Sequence, residues 1–244
     1  MRIRIRLQTE TQQIKVPFNY NTILTGIIYT TLHDQGYSNY LHTSKGFKYW
    51  SISQMYFHNY HIDKVNNCFH VDGGFTFIVS CPDTYFITSL MEGLLEREHI
   101  SVNGQRLLVD EVLVLDHPQL SVSTEYYTLS PICVRTKREV DGKLKQYDLN
   151  PSEQQFYDNI GKLICKKYNQ YHDQEKYTSD DVHVTSKMMH IKGVRVAIRK
   201  GKYTIYNRAY FMDIRVTAPL ELQEFLYDCG LGEKTAMGFG CITV

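Results

Sequence analysis

The chain has 244 residues, is 43% hydrophobic and 22% charged, and carries a formal net charge of +1 from 27 Lys plus Arg against 26 Asp plus Glu. This composition excludes a disordered or collagen-like chain, and no apolar run reaches the ~18 residues that a membrane-spanning helix needs. Taken as a total, the near-zero charge argues against a nucleic-acid partner, which usually asks for a basic protein.

The length suits one large domain or two of about 120 residues, either able to bury a proper core. The cysteines (Cys68, Cys81, Cys133, Cys165, Cys229 and Cys241) are scattered without a CxxC pair, and the amino terminus MRIRIRLQ lacks the apolar stretch of a signal peptide. Reduced, buried thiols in a cytoplasmic protein are therefore expected.

In chain order, Ile3, Ile5 and Leu7 alternate with Arg2, Arg4 and Arg6, a period-two strand with one apolar and one cationic face. From Asn21 to His33 the spacing is helical, with Ile23, Leu24, Ile27, Ile28 and Leu32 on one side. A polar and aromatic segment follows, then strand-like runs at 50–57, 68–71 and 75–80. Pro82 suits the first turn of a second helix over 83–96, and alternation returns over 105–115. The second half repeats this order. A strand over 125–134 precedes a hairpin around Asp141-Gly142, and Asn150-Pro151-Ser152-Glu153 has the form of a capping box opening a helix with Phe156, Ile160, Leu163 and Ile164 inward. Strand-like runs at 182–190, 194–199 and 203–216 lead to a short helix from Pro219 to Gly230 and a final strand over 241–244. Two halves of βαββαβ order predict an α+β fold of two tandem ferredoxin-like domains, 1–120 and 121–244, with antiparallel sheets and helices on one face.

The densest signal is Gly230-Leu231-Gly232-Glu233-Lys234-Thr235-Ala236-Met237-Gly238-Phe239-Gly240, which holds four of the 15 glycines. A Walker A loop would place Lys-Ser/Thr after its second glycine, whereas Phe239 follows Gly238; a Rossmann loop would run from strand to helix, and this segment runs from helix to strand. A helix cap with a bulged turn would account for an isolated glycine pair. Two matched pairs flanking Lys234 point to a loop that presents N–H groups to phosphate.

The pattern G-φ-G-x5-G-φ-G closing the second of two ferredoxin-like domains resembles the CRISPR-associated endoribonucleases that process repeat RNA, the sixth Cas family within the RAMP superfamily. Leu24-Thr25-Gly26-Ile27-Ile28-Tyr29, Tyr40-Leu41-His42-x-x-Lys45-Gly46-x-Lys48 and Leu129-Ser130-Pro131-Ile132 extend the resemblance across the chain. It implies pre-crRNA processing without a metal or cofactor, by attack of the 2′-hydroxyl on the adjacent phosphate, leaving a 2′,3′-cyclic phosphate and a 5′-hydroxyl. It also implies Tyr29, His42 and Lys48 as catalytic residues, and leaves open homodimerisation and hand-off of the product to an interference complex. Such chemistry needs a base, an acid and a donor or cation for the phosphorane. Histidine suits proton transfer, with an ordinary pKa of about 6.5, and lysine supplies charge. Tyrosine, neutral below about pH 10, acts as donor, positioner or base. On the first helix Tyr29 lies about 150° from the apolar arc and so faces solvent or ligand. Spacing alone nominates His33, four residues on, as readily as His42; the resemblance favours His42. His58-x-x-His61 with Asp63 matches neither the paired acids of two-metal nucleases nor a strong zinc spacing, so no metal is expected.

For RNA binding the sequence offers Tyr49-Trp50, directly after Lys48, as a stacking platform, Arg135, Lys137, Arg138, Lys143 and Lys145 on the hairpin, and the acid-free stretch 182–212 with Lys187, Lys192, Arg195, Arg199, Lys200, Lys202 and Arg208. Gly230, Gly232, Lys234, Gly238 and Gly240 join this set through the glycine-rich loop. Residues 1–122 carry 9 basic and 11 acidic groups, net −2, and residues 123–244 carry 18 and 15, net +3. The neutral total is thus a cancellation, and stretches 1–9 and 35–62 also lack acids. The alternatives are a non-catalytic RAMP-type RNA-binding subunit of an effector complex and an assembly module whose sheets bind protein.

Overall fold

A computed structural model describes residues 1–11, 13–186, 190–201 and 203–244, the side chains at 199 and 200 excepted. The alternation Arg-Ile-Arg-Ile-Arg-Leu makes β1 (Arg2–Thr9), whose Ile3, Ile5 and Leu7 are fully buried. Its partner β5 (Cys68–Ser80) is one long strand where the sequence suggests two runs. The pair Gly73-Gly74, both at positive φ, lies where those runs meet, and a Cβ on Gly74 would stand 2.0 Å from the Leu7 carbonyl oxygen. The strand therefore continues through a close approach to β1 that only glycine permits. β1 and β2 (Gln13–Pro17) run along one edge of β5, and β3 (Ser51–Ile52) and β4 (Tyr56–Asp63) along the other. β7 (Gln105–Val114) pairs with β1 and carries β6 (His99–Val102) outside it. Helices α1 (Asn21–Thr31) and α3 (Thr84–Leu95) cover one face, burying Leu24, Ile27, Ile28, Phe86, Leu90 and Leu94. Fully burying each such side chain contributes about 1.5–3 kcal/mol.

In the second half β8 (Ser123–Thr128) lies between β14 (Asp213–Thr217) and β15 (Ile242–Thr243), with β11 (His183–Ser186) beyond β14. Helices α4 (Gln154–His172) and α5 (Leu220–Cys229) pack there around Phe156, Ile160, Leu222 and Leu226. Both halves are ferredoxin-like, with antiparallel sheets. The capping prediction holds in part: Glu153 Oε1 accepts the Asn150 N–H at 2.9 Å and Asn150 Oδ1 accepts the Ser152 N–H at 3.0 Å, while the helix starts at Gln154. Two hairpins are added to the second half: β9 (Arg135–Val140) with β10 (Lys143–Asp148), and β12 (Lys192–Lys200) with β13 (Tyr203–Phe211).

The halves meet along a polar seam. Arg2, 4% exposed, donates to the Ile242 and Tyr227 carbonyls at 2.7 and 2.6 Å. Asn21 Nδ2 donates to the Met237 carbonyl at 2.9 Å and Thr25 Oγ1 to the Ala236 carbonyl at 3.1 Å. The cationic face expected of β1 is thus taken up by the protein's own groups: Arg4 and Arg6 form surface ion pairs with Glu111 and Asp110 of β7, and the buried Arg2 joins the halves. All six cysteines are free and buried.

Candidate functional site

The apolar stripe of α1 points to the core and leaves Tyr29 at its margin, half-buried rather than facing outward. After α1 the chain forms a helix that periodicity did not reveal, α2 (Gln35–Thr43), because it has few apolar residues. Its start is set by Asp34, whose carboxylate accepts the Tyr37 N–H at 2.9 Å. Ser38 Oγ donates to the Tyr29 carbonyl at 2.7 Å and binds α2 to α1. His42, exposed in the last turn of α2, meets the Tyr29 ring edge-on at 5.3 Å between centroids. Lys48 closes the group. Its ammonium donates to the carbonyls of Leu41 and Ser44 and to Ser44 Oγ, capping the carboxyl end of α2 beside His42.

Tyr29, His42 and Lys48 thus converge around one helix end. Burial pushes the Tyr29 phenol above its usual value, so it is a hydrogen-bond donor and a poor base, and burial holds the Lys48 ammonium below the usual lysine value. His33 is engaged elsewhere: its Nδ1 lies 2.7 Å from Glu96 Oε2, and that hydrogen bond raises its proton affinity.

Several residues expected to contact RNA are used differently. Trp50 is 1% exposed and stacks on Phe86 at 5.3 Å within the first core, so it offers no platform to a base. The glycine-rich segment is buried at the seam. Its Gly230, Gly238 and Gly240 N–H groups go to the Leu226, Thr235 and Pro131 carbonyls, and Phe239 fills a small cluster with Cys133, Ile198 and Ala209. A Cβ on Gly232 would stand 2.6 Å from the Cys133 carbonyl oxygen. The glycines therefore serve close approach of one backbone segment to another, and the N–H groups of Gly230, Gly238 and Gly240 are taken by carbonyls. Lys234 points inward to Asn207 Oδ1, and burial lowers its pKa. Arg135 is held by Glu233, its Nε 2.7 Å from Oε2.

Other predicted cations do face outward. Lys137, Lys143, Lys145, Lys192 and Arg195 are exposed, and Arg138, paired with Glu153, lies over the Tyr147 ring at 3.7 Å. Arg199 lies on β12; Lys187 and Lys202 lie outside the described residues. Between the two hairpins runs a groove of about 340 Å³ lined by Gln146, Tyr147, Asp148, Arg195, Tyr206 and Arg208. Arg195 lies over the Tyr206 ring at 4.3 Å. Tyr147 and Tyr206 went unnoticed in the sequence because strand pairing within each hairpin, β9 with β10 and β12 with β13, sets them beside Arg138 and Arg195. Lys167, 4% exposed, was missed as well; its Nζ donates to the Gly232 carbonyl at 2.9 Å.

Two family models match the chain: "CRISPR-associated protein Cas6, N-terminal" over residues 15–113 and "CRISPR associated protein Cas6, C-terminal" over residues 116–244. The CRISPR-associated endoribonuclease Cas6 1 of Methanocaldococcus jannaschii is 30% identical over 244 residues, covering 99% of this chain and 92% of the relative. The CRISPR-associated endoribonuclease Cas6 of Pyrococcus furiosus is 29% identical over 250 residues, covering 100% and 90%. Among solved structures, the one described in "Characterization of a Cas6-related gene from Pyrococcus furiosus" superposes with a TM-score of 0.86 at 25% identity, covering 100% of this chain and 97% of that one. A structure described as "CRISPR associated protein Cas6" superposes with a TM-score of 0.81 at 29% identity, covering 100% and 98%.

Proposed function

The chain belongs to the Cas6 family of CRISPR-associated proteins, and on that premise we propose that it is a site-specific endoribonuclease that cuts CRISPR repeat RNA without a metal. The observation that carries this reading is the convergence of Tyr29, His42 and Lys48 at the end of α2. In the proposed reaction the 2′-oxygen bonds to the adjacent phosphorus, the bond from phosphorus to the 5′-oxygen breaks, and a 2′,3′-cyclic phosphate and a 5′-hydroxyl result. His42 accepts the 2′-hydroxyl proton. Tyr29, kept neutral by its raised pKa, donates a hydrogen bond to the crowded phosphate. Lys48 supplies positive charge and, with its lowered pKa, protonates the departing 5′-oxygen more readily than an ordinary lysine would. To do so its ammonium turns from the α2 carbonyls toward the phosphate.

The outward cations Lys137, Arg138, Lys192 and Arg195, with Tyr147 and Tyr206 beside them, support an RNA track on the second half. Phosphate contacts there would make binding weaken steeply with salt. One observation favours a second reading, a RAMP-type subunit that binds RNA without cutting: the Lys48 ammonium is engaged by Leu41 and Ser44, as a purely structural cap would be.

Labelled repeat RNA incubated with the protein in EDTA separates these readings. Cleavage to a cyclic phosphate is expected, with His42→Ala slower by about 10²–10⁴-fold and binding retained. Cutting that appears only when Mg²⁺ is added overturns the mechanism. A fully active His42→Ala overturns the site, and binding with no cutting under any condition selects the second reading.

A further inference from the structure

Away from the α2 site, Asp63, Cys68 and His70 each offer a ligand atom within 4.8 Å of the others, the one such group among the described residues. They come together through cross-strand register: Asp63 of β4 lies opposite Cys68 of β5, and His61 opposite His70. A step of two along each strand returns to the same face, so the four side chains share one patch.

The hydrogen bonds select a ligand-ready form of His70. Gln13 Nε2 donates to Asp72 Oδ1 at 2.9 Å, which fixes the Gln13 amide with its carbonyl toward His70. His70 Nδ1, 2.9 Å from Gln13 Oε1, is then the donor. In the neutral ring this leaves Nε2 a bare lone pair, and it faces another acceptor, Asp63 Oδ2, at 3.3 Å. The two lone pairs repel unless a cation stands between them, either a proton on Nε2 or a metal. Two ligands each about 2.0–2.1 Å from a tetrahedral zinc ion are about 3.3 Å apart, which matches the observed separation. A carbonyl accepting the opposite ring N–H is also the usual support of a metal-bound histidine. Asp63 is held in place through Oδ1 by the N–H groups of Val65 and Asn66 at 3.0 and 2.9 Å and through Oδ2 by the Asn66 side-chain amide at 2.6 Å, which leaves Oδ2 a second lone pair toward His70, and the buried Cys68 adds the soft donor that zinc-class metals prefer.

We propose that Asp63 Oδ2, Cys68 Sγ and His70 Nε2 bind one zinc-class divalent cation, with a fourth position open to solvent beside His61. The Cys68 thiol releases its proton to solvent as the metal binds. The ion clips the β4–β5 ribbon and, through Gln13, braces β2. It shares no residue with Tyr29, His42 and Lys48 and takes no part in cleavage.

The test uses full-length protein stripped with a chelator, desalted and titrated with Co²⁺. A thiolate-to-cobalt charge-transfer band should saturate at one equivalent and disappear when Zn²⁺ displaces the cobalt. The band should be absent in Cys68→Ser and in His70→Gln and retained in Cys165→Ser, with circular dichroism checking each fold. Asp63→Asn should weaken it, and serves if the serine variant does not fold. RNA cleavage by the parent protein should be equal with and without EDTA. No band in the folded parent protein means that a proton alone bridges Asp63 and His70, and overturns the proposal. A band that survives in Cys68→Ser overturns it too.

Discussion

Replacing Arg2 with alanine should loosen one half of the molecule from the other. The guanidinium is buried, donates at 2.7 and 2.6 Å to the Ile242 and Tyr227 carbonyls and at 3.3 Å to Ser80 Oγ, and lies 3.7 Å over the Tyr227 ring. Hydrogen bonds to a charged group contribute about 1.5–3 kcal/mol each, and a desolvated cation–π contact about 2 kcal/mol. Against these stands the desolvation of the guanidinium, which the variant recovers and which amounts to several kcal/mol. The truncation also strands two carbonyls that the smaller side chain cannot reach. The net expectation is a loss of about 3 kcal/mol, equivalent to a fall of roughly 6–12 °C in Tm for a chain of this size. Urea unfolding followed by fluorescence and by far-UV circular dichroism measures it. Trp50, the one tryptophan, sits in the first core and reports on that half alone. A variant whose two signals still coincide and whose stability falls by less than about 1 kcal/mol would refute the assignment of Arg2 as the principal cross-link.

Gly240 has φ +63, and a Cβ there would stand 1.8 Å from the Leu231 carbonyl oxygen. Gly240→Ala should therefore destabilise by more than about 2 kcal/mol, whereas Gly142→Ala, at φ +70 with nothing within 4 Å, should incur only the strain of about 1 kcal/mol; thermal melts of the pair check the contrast. Because burial lowers the Lys48 pKa, cleavage should decline with rising pH before the ordinary lysine value of about 10.4, while Tyr29, raised, remains protonated. In that window the unfolded chain binds more protons than the folded one, so the Lys48 contribution to stability rises with pH as activity falls. Single-turnover rates and melts across the alkaline range test both signs, and Lys48→Arg should remove the decline in whatever activity it retains. On the β9–β10 hairpin, Lys137→Ala should reduce the salt dependence of repeat-RNA binding by about one in log–log slope. Arg135→Ala, already neutralised by Glu233, should leave that slope unchanged and lower stability, as filter binding and melts would show.

Much of the fold was legible because it is written locally. The alternation in β1, the apolar stripes of α1, α3 and α4, and the Asn150–Glu153 cap each express a preference satisfied within a few residues. The βαββαβ order followed from those elements, and His42 and Lys48 were nominated by the resemblance that their short motifs carry. α2 was missed because it buries only Ser38 and so lacks the apolar period of a core helix. Trp50 was misread because standing two residues from Lys48 in sequence says nothing about the side of the chain on which the ring is buried.

The sequence by itself determined the element types, the two ferredoxin-like halves and the residue kinds available for RNA chemistry, because hydrophobic period and turn chemistry act over one or two turns of chain. Tertiary structure decided which cations remain outside and which are consumed, since an arginine becomes a cross-link or a phosphate contact according to what packs against it: Arg2 is buried, Arg135 neutralised and Arg195 exposed. It also turned the glycine-rich loop inward, where the N–H groups of Gly230, Leu231, Glu233, Met237, Gly238 and Gly240 meet carbonyls of its own chain. Strand register alone set Cys68 and His70 against Asp63, because neighbours across a sheet are separated by whatever length of chain lies between them.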